Sequence, residues 1–395
     1  MKPTIFFSTG EPSGDIHTAR LIEALHNRNP DLEFRGFGGP EMQSAGCKID
    51  FDLTQLAVMG LVEVIPKISE FYRVANQAKD IFRKGNIDAV LLSDFPGFNW
   101  HIAARAKKFG IPVYYYLPPQ LWAWAPWRIR KVRRNVDHVL CVLPFEYQWY
   151  RERGVQATYV GHPFFDAVRE QELSNPVLAK FQSQRDSGER LVAVLPGSRN
   201  GEVADNWPLQ LEAIRRLSRE HPDARFLVAC FRDRHCLSCR EQLTEEDQRL
   251  PIDFYVGKTS EIIEAAACAI MVSGSVSLEL MARKTPAVVL YRIGRVFHTL
   301  ASRLVQVDSI TLPNLIAEEK LFPETISVGD PEPSINEIVH ATSNLLNDSG
   351  LLEHRQQRLT ELCEQYAKPG ASGRTAEAIL QLMQSTSGSK EKIAA

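Results

Sequence analysis

The chain has 395 residues, 44% hydrophobic and 24% charged, a balance that supports two domain-sized cores and excludes a disordered, collagen-like or disulfide-stapled protein. Its 46 Lys and Arg face 48 Asp and Glu, a net charge of −2, so the basic excess of a nucleic-acid-binding protein is missing. Seven scattered cysteines, an odd number, fit reduced thiols in a cytosol.

Met1-Lys2-Pro3-Thr4 leads straight into Ile5-Phe6-Phe7 without an apolar stretch and small-residue cleavage site, so the chain is expected not to be exported. Thr4–Ser8 is the first predicted strand, followed by the turn Gly10-Glu11-Pro12-Ser13-Gly14-Asp15 and a helix to about Arg28. Glu33–Phe37 is predicted as a second strand, ending at Gly38-Gly39-Pro40. Apolar runs at Ala89–Ser93 and Val113–Leu117 read as buried parallel strands, with a crossover helix over Trp100–Phe109 between them. The uncharged stretch Gly110–Trp127 carries Pro112, Pro118, Pro119 and Pro126, which would break a membrane-spanning helix. His138–Leu143 is a further strand and Pro144–Arg153 a further helix, and the βαβα alternation predicts a doubly wound parallel sheet.

From Gly161 to Gly188 the composition turns polar and periodicity fades, as in a linker. A second βα series follows, with strands predicted at Leu191–Leu195, Arg225–Ala229, Ile252–Val256, Ala269–Val272 and Ala287–Tyr291. Two such halves joined by a hinge would enclose one cleft, with loops at the carboxyl ends of the strands aimed into it. The expected domains are 1–168 and 188–345, with C-terminal helices over 346–385 packing back on the first domain and a frayed polar tail over 386–395.

Leu195-Pro196-Gly197-Ser198-Arg199, with Glu202 three residues on, lies between a strand and a helix. Gly197 permits close backbone approach, Ser198 can donate, the helix N-terminus offers N–H groups to an anion, and Arg199 supplies a bidentate phosphate partner. The plainer reading is a capped turn with a surface arginine. Ser273-Gly274-Ser275 occupies the equivalent place after Ala269–Val272, and Glu279 one turn in is suited to accept from a ribose diol. Here the plainer reading makes Ser275 an N-cap and Glu279 an acid that suits the helix dipole. Together the two loops point to a nucleotide diphosphate.

In the first half, Gly10–Asp15 carries two carboxylates on a glycine-rich turn, without the Lys-Ser/Thr ending of a P-loop or the spacing of a dinucleotide fingerprint. Asp94 closes the strand Ala89–Ser93, where a carboxylate serves either as a general base or as an N-cap. Trp122, Trp124 and Trp127 precede Arg128, Arg130, Lys131, Arg133 and Arg134, a pairing suited to an anionic membrane surface or a phosphorylated amphiphile. Met59-Gly60-Leu61-Val62-Glu63-Val64-Ile65 and the amphipathic Ile68–Phe82 would add apolar contact. The alternative is a buried aromatic cluster followed by a solvated basic helix. Cys230, His235, Cys236 and Cys239 lack the second ligand pair of a structural zinc site, and no metal is expected.

In order along the chain, Gly10-Glu11-Pro12-Ser13-Gly14-Asp15, Gly38-Gly39-Pro40-Glu41-Met42, Val58-Met59-Gly60-Leu61-Val62-Glu63-Val64 and Trp122-Ala123-Trp124 form one ordered set of motifs. Leu143-Pro144-Phe145-Glu146, Gly161-His162-Pro163, Leu195–Arg199, Ser273–Ser275 and Leu312-Pro313-Asn314-Leu315 complete it. From about Ile5 to Leu382 this set resembles the lipid-A-disaccharide synthase family, inverting glycosyltransferases of GT-B architecture with two Rossmann-like doubly wound domains.

The resemblance implies transfer of the sugar of UDP-2,3-diacylglucosamine to the 6-hydroxyl of 2,3-diacylglucosamine 1-phosphate, giving a β-1,6 disaccharide 1-phosphate and UDP. It implies a cytoplasmic enzyme peripheral to the inner membrane; no cofactor or metal is expected, and the C-terminal helices could cross to a second chain as a homodimer. Carried onto this chain, Asp94 would take the acceptor proton, with Glu11 or Asp15 as fallback. Gly197, Ser198, Arg199, Ser273, Gly274 and Ser275 would hold the diphosphate, Glu279 the ribose, and Tyr291, Arg292 and Asn314 would complete the nucleotide wall. Ser13, Met59, Trp122, Trp124, Arg128, Arg130 and Lys131 would form the acceptor and membrane side.

The chain departs from the family pattern at four places. Gly97 stands where a second acid is usual, and Pro118-Pro119-Gln120 replaces Ser-Pro-Ser. Glu318-Glu319 replaces Gly-Arg, and Ser327 replaces Gln. Two alternatives follow: another UDP-sugar enzyme on the same fold, such as an N-acylglucosaminyl transferase or a 2-epimerase, and a non-catalytic nucleotide-sugar-binding scaffold.

Overall fold

The computed structural model describes residues 2–57, 68–295 and 307–394. The chain divides into two compact units, Met1–Asp166 with Pro369–Ala395, and Ala167–Lys368.

The first unit is built on β1 (Thr4–Thr9), β2 (Glu33–Gly38), β3 (Lys48–Asp52), β4 (Ala89–Ser93), β5 (Val113–Tyr116), β6 (His138–Cys141) and β7 (Ala157–Tyr159). The seven strands pair in parallel in the order β3-β2-β1-β4-β5-β6-β7. β1, β4 and β5 are buried along their whole length, which is why they read as unbroken apolar runs. Around them lie α1 (Pro12–Arg28), α2 (Pro40–Ser44), α3 (Thr54–Ala57), α4 (Ile68–Arg83), α5 (Pro96–Lys108), α6 (Ile129–Asn135) and α7 (Pro144–Glu152). Phe6 meets Phe37 and Phe82 edge to face, with ring centroids 5.1 and 5.0 Å apart. Each fully buried ring of this kind contributes about 2–3 kcal/mol. α4 turns Val74, Ala75, Ala78, Ile81 and Phe82 into this same core, so the apolar face expected to meet a membrane is spent inside the protein.

The second unit is built on β8 (Arg190–Leu195), β9 (Ala224–Cys230), β10 (Ile252–Val256), β11 (Cys268–Val272), β12 (Ala287–Arg292) and β13 (Glu324–Ser327). Its parallel sheet has the order β10-β9-β8-β11-β12-β13. The predicted linker is helical instead, as α8 (Pro163–Glu170) and α9 (Asn175–Asp186). α9 is almost entirely solvated but buries Phe181 against Tyr255, centroids 5.3 Å apart; one anchor in a polar helix leaves little periodic signal. The remaining helices are α10 (Asn200–Glu220), α11 (Asp233–Arg240), α12 (Thr259–Ala265), α13 (Val276–Ala282), α14 (Leu312–Ala317), α15 (Glu332–Asn347), α16 (Ser349–Tyr366) and α17 (Ala371–Ala394).

The C-terminal helices do not all return to the first unit. α16, through its buried Leu359 and Leu362, stays with α13 and α15 of the second unit, and only α17 packs on α1. The backbone of α17 continues as helix through the expected frayed tail to Ala394. β3, β7 and β13 escaped prediction because they are short, partly exposed edge strands whose polar residues dilute the apolar pattern. α5 begins at Pro96 rather than Trp100, since proline at the first helical turn needs no N–H partner.

Both strand orders contain one reversal. In the first sheet it falls between β1 and β4, and in the second between β8 and β11. The loops leaving the carboxyl ends of such strand pairs diverge and leave room for a ligand.

Candidate active site

At the first reversal the turn Gly10–Asp15 leaves β1 and Asp94 leaves β4. Asp94 and Phe95 both take left-handed backbone angles, with φ of 45° and 39°, at a cost of about 1–2 kcal/mol each for residues with a Cβ. The turn is held from inside. The buried Asn99 amide donates to the carbonyls of Ser8, Ser93 and Asp94 at 3.1, 3.0 and 2.9 Å, and Tyr115 donates its hydroxyl to the Asp94 carbonyl at 2.7 Å. The Asp94 carboxylate accepts at Oδ1 from the backbone N–H groups of Gly10 and Glu11, at 3.2 and 3.3 Å. Its Oδ2 is out of solvent and has no hydrogen-bond partner. Burial holds this carboxyl well above the ordinary carboxylate range, against the two N–H bonds and with the charges of Glu11 and Asp15 pushing the same way. A carboxylate with one oxygen anchored by backbone N–H groups and the other unspent suits a general base.

The two fallback acids differ. Asp15 is buried, and its oxygens accept from Gly39 N at 2.8 Å, Glu41 N at 3.0 Å and Met42 N at 3.3 Å. Those bonds satisfy the first turn of α2, so Asp15 is a structural cap rather than a catalytic acid. Glu11 stands at the N-cap of α1 without a capping side-chain bond, and Ser13 is exposed in the first turn of that helix.

At the second reversal the loop after β8 carries Gly197, Ser198 and Arg199. Gly197 has φ of 123°, open to glycine, and a Cβ there would meet the Glu202 side chain at 2.8 Å. The Glu202 carboxylate occupies the donors of this loop: it accepts from Ser198 N at 3.1 Å, Arg199 N at 3.2 Å and Arg199 Nη1 at 2.7 Å. Tyr291, at the end of β12, lies close enough to feel Glu202 and Arg199, and its hydroxyl is pushed up by burial first and by Glu202 second. After β11, Gly274 and Ser275 are exposed, Ser273 donates to the Ile310 carbonyl at 2.9 Å, and Ser275 heads α13 without a side-chain capping bond. Glu279 sits one turn into α13, its Oε1 bound by Arg283 Nε at 3.0 Å.

Two members of the expected nucleotide wall are bonded to neighbouring loops. Asn314 is buried and pairs both ways with Phe322, donating to its carbonyl and accepting from its N–H at 2.8 Å each. Arg292 donates to Ser327 Oγ at 3.1 Å and the Gly329 carbonyl at 3.0 Å, while its backbone N–H goes to Asn206. Both side chains make these bonds within the protein.

The aromatic–basic segment divides as well. Trp122 is buried, edge to face with Phe145 at 4.7 Å, and donates to Glu146 at 3.2 Å. Trp124 and Trp127 are 42% and 57% exposed, and Arg128 lies over the Trp124 ring at 4.6 Å. Arg130 and Lys131 are exposed on α6, and Met59 lies outside the described residues. His235 bonds Asn200 at 2.9 Å, and among the described residues no group of three or more His, Cys, Asp or Glu is arranged to hold a metal ion.

Sequence reasoning missed the roles of Asn99, Tyr115 and Arg283. None of the three lies in a motif that marks its role, because each acts on a partner 21 or more residues away.

This fold is the GT-B architecture. The chain superposes on the Staphylococcus aureus MnaA–UDP co-structure with a TM-score of 0.66, at 15% identity and 97% coverage of both chains. A UDP-GlcNAc 2-epimerase from Neisseria meningitidis bound to UDP-GlcNAc gives a TM-score of 0.63 at 13% identity, covering 96% of this chain and 100% of that one. At such identities the likeness concerns the fold alone. The family model for lipid-A-disaccharide synthetase matches residues 5–381. Lipid-A-disaccharide synthases of Myxococcus xanthus and Trichlorobacter lovleyi are 33% and 34% identical, each over 96% of this chain and over 98% and 97% of their own lengths. The chain belongs to the lipid-A-disaccharide synthase family and is a glycosyltransferase that forms the lipid A disaccharide.

Proposed function

We propose that the enzyme transfers the sugar of UDP-2,3-diacylglucosamine to the 6-hydroxyl of 2,3-diacylglucosamine 1-phosphate, with Asp94 as general base. The acceptor oxygen attacks the anomeric carbon and the carbon–oxygen bond to the diphosphate breaks. UDP leaves with the bonding pair, and Asp94 keeps the hydroxyl proton. In-line attack inverts the anomeric centre. Family membership supports the reaction, and the observation that carries the residue assignment is the unspent, buried Oδ2 of Asp94 on a strained turn at a sheet reversal.

The UDP moiety is assigned to the second unit. Arg199, with the N–H groups of the Gly197–Arg199 loop and of the Ser273–Ser275 loop, offsets the charge on the departing diphosphate. Glu279 accepts from the ribose and Tyr291 flanks the arginine loop; Asn314 and Arg292 hold the loops that carry Phe322, Ser327 and Gly329. Glu202 leaves the anion position when the diphosphate arrives. Trp124, Trp127, Arg128, Arg130 and Lys131 offer exposed rings beside cations, the pairing that binds anionic headgroups, and support peripheral docking on the cytoplasmic face of the inner membrane. No helix among the described residues is long and apolar enough to cross a membrane. A homodimer remains an expectation for sedimentation velocity to test.

The deciding experiment is UDP release from UDP-2,3-diacylglucosamine with and without the acylated 1-phosphate acceptor, products followed by mass. The reading requires acceptor-dependent release and a disaccharide mass. Turnover of the donor without acceptor overturns it in favour of a 2-epimerase, the activity for which two proteins of the same fold are named.

A further inference from the structure

We propose that Arg283 is a positioning residue for the nucleotide, holding the Glu279 carboxylate in the one orientation that reads the ribose diol; this rests on the assignment of Glu279 to the ribose. Arg283 is the C-cap of α13, and its backbone N–H donates to the Glu279 carbonyl at 2.8 Å, placing the two side chains one turn apart on one helix face. Its guanidinium side chain is only 7% exposed. Each nitrogen has its own acceptor: Nε donates to Glu279 Oε1 at 3.0 Å, Nη1 to Glu264 Oε2 at 2.9 Å, and Nη2 to Gln171 Oε1 at 3.0 Å. The three acceptors come from α13 itself, from α12, and from the segment joining α8 to α9.

A planar fork tied at three corners cannot rotate, and it fixes the carboxylate it holds. Glu279 is 11% exposed on its side chain, with Oε1 committed to Arg283 and Oε2 carrying no hydrogen bond from the described residues. The open oxygen is therefore presented at a set angle. An i, i+4 pair on an exposed helix face would not achieve this, because both side chains would sample several rotamers. Recognition of adjacent hydroxyls depends on such fixed acceptors, since a site built to bond a hydroxyl rejects the analogue lacking it. Glu264 and Gln171, further out, act on the ribose only through Arg283.

Calorimetric titration of UDP and of 2′-deoxy-UDP into wild type, Glu279→Gln, Arg283→Met and Arg283→Lys tests this, with thermal melts of each. Wild type is expected to prefer UDP by ~10-fold or more. Arg283→Met and Arg283→Lys are expected to bring the preference below ~3-fold, the lysine included because a point charge cannot serve three acceptors in fixed geometry. The donor KM should rise more than kcat falls. If Glu279→Gln loses the preference while both Arg283 variants keep it and only melt earlier, Arg283 is merely structural and the proposal is overturned. No preference in wild type overturns the Glu279 assignment and the proposal with it. Should Arg283→Met fail to fold, Arg283→Lys alone decides by the same ratio.

Discussion

Gly14 and Asp94 compete for one place: a Cβ built on Gly14 would stand 1.5 Å from Oδ2 of Asp94. The first turn of α1 and the turn after β4 close on each other only because residue 14 has no side chain. Gly14→Ala should therefore drive the carboxylate off its seat, lowering turnover at least ~100-fold and stability by about 1–3 kcal/mol. Steady-state kinetics and a urea melt check both, and wild-type turnover would separate Gly14 from the site.

Asp94→Asn keeps an acceptor for the N–H groups of Gly10 and Glu11 but removes the base. Turnover should fall ~100-fold or more with donor binding retained. Stability should move the other way. Because burial raises this carboxyl in the folded state, its contribution is present below the ordinary carboxylate pKa and is lost as pH climbs toward the raised value. Asparagine has no charge to bury, so the variant should melt higher than wild type at neutral pH and show little advantage near pH 4. Melts across pH test this directly.

Asp15→Ala strips three backbone donors of their acceptor at the start of α2. A loss of about 2–4 kcal/mol in unfolding free energy is expected. The folded fraction should keep its kcat, which distinguishes a cap from a catalytic acid.

Glu146 is buried beneath Trp122 and is pushed up to about 8 by burial, despite bonds from Val142 N and Trp122 Nε1. Its stabilising contribution is present below the ordinary carboxylate pKa and disappears as pH rises to about 8. Wild-type melting temperature should fall across that window, and Glu146→Gln should flatten the slope.

Trp122→Ser and Trp127→Ser should behave as opposites. The buried Trp122 should cost about 3–5 kcal/mol of stability, whereas the exposed Trp127 should melt like wild type but partition less to anionic vesicles. Equal vesicle binding by Trp127→Ser and wild type would remove that ring from the docking surface.

The alternation of strands and helices, the loops at strand ends, and the family were legible because they depend on local periodicity and ordered motifs. Asp94 and Arg199 belong to this class, since each directly follows or closely follows an apolar strand, and a polar group there must emerge at the carboxyl edge of the sheet. The linker was misread for the same reason: α9 is solvated on nearly every side, and one buried phenylalanine makes no pattern.

What a polar side chain does was settled by tertiary structure. Asp15 meets its donors 24 to 27 residues away, and Arg283 reaches Gln171 across 112 residues. Asn314 and Trp122 sit in motifs that read as binding residues, yet both are buried and bonded within the protein. The chain order of motifs decides which groups are near the site. Whether a carboxylate, amide or indole there remains available depends on which donors and acceptors the fold brings against it, because a buried polar group takes the nearest partner and has little left for a substrate.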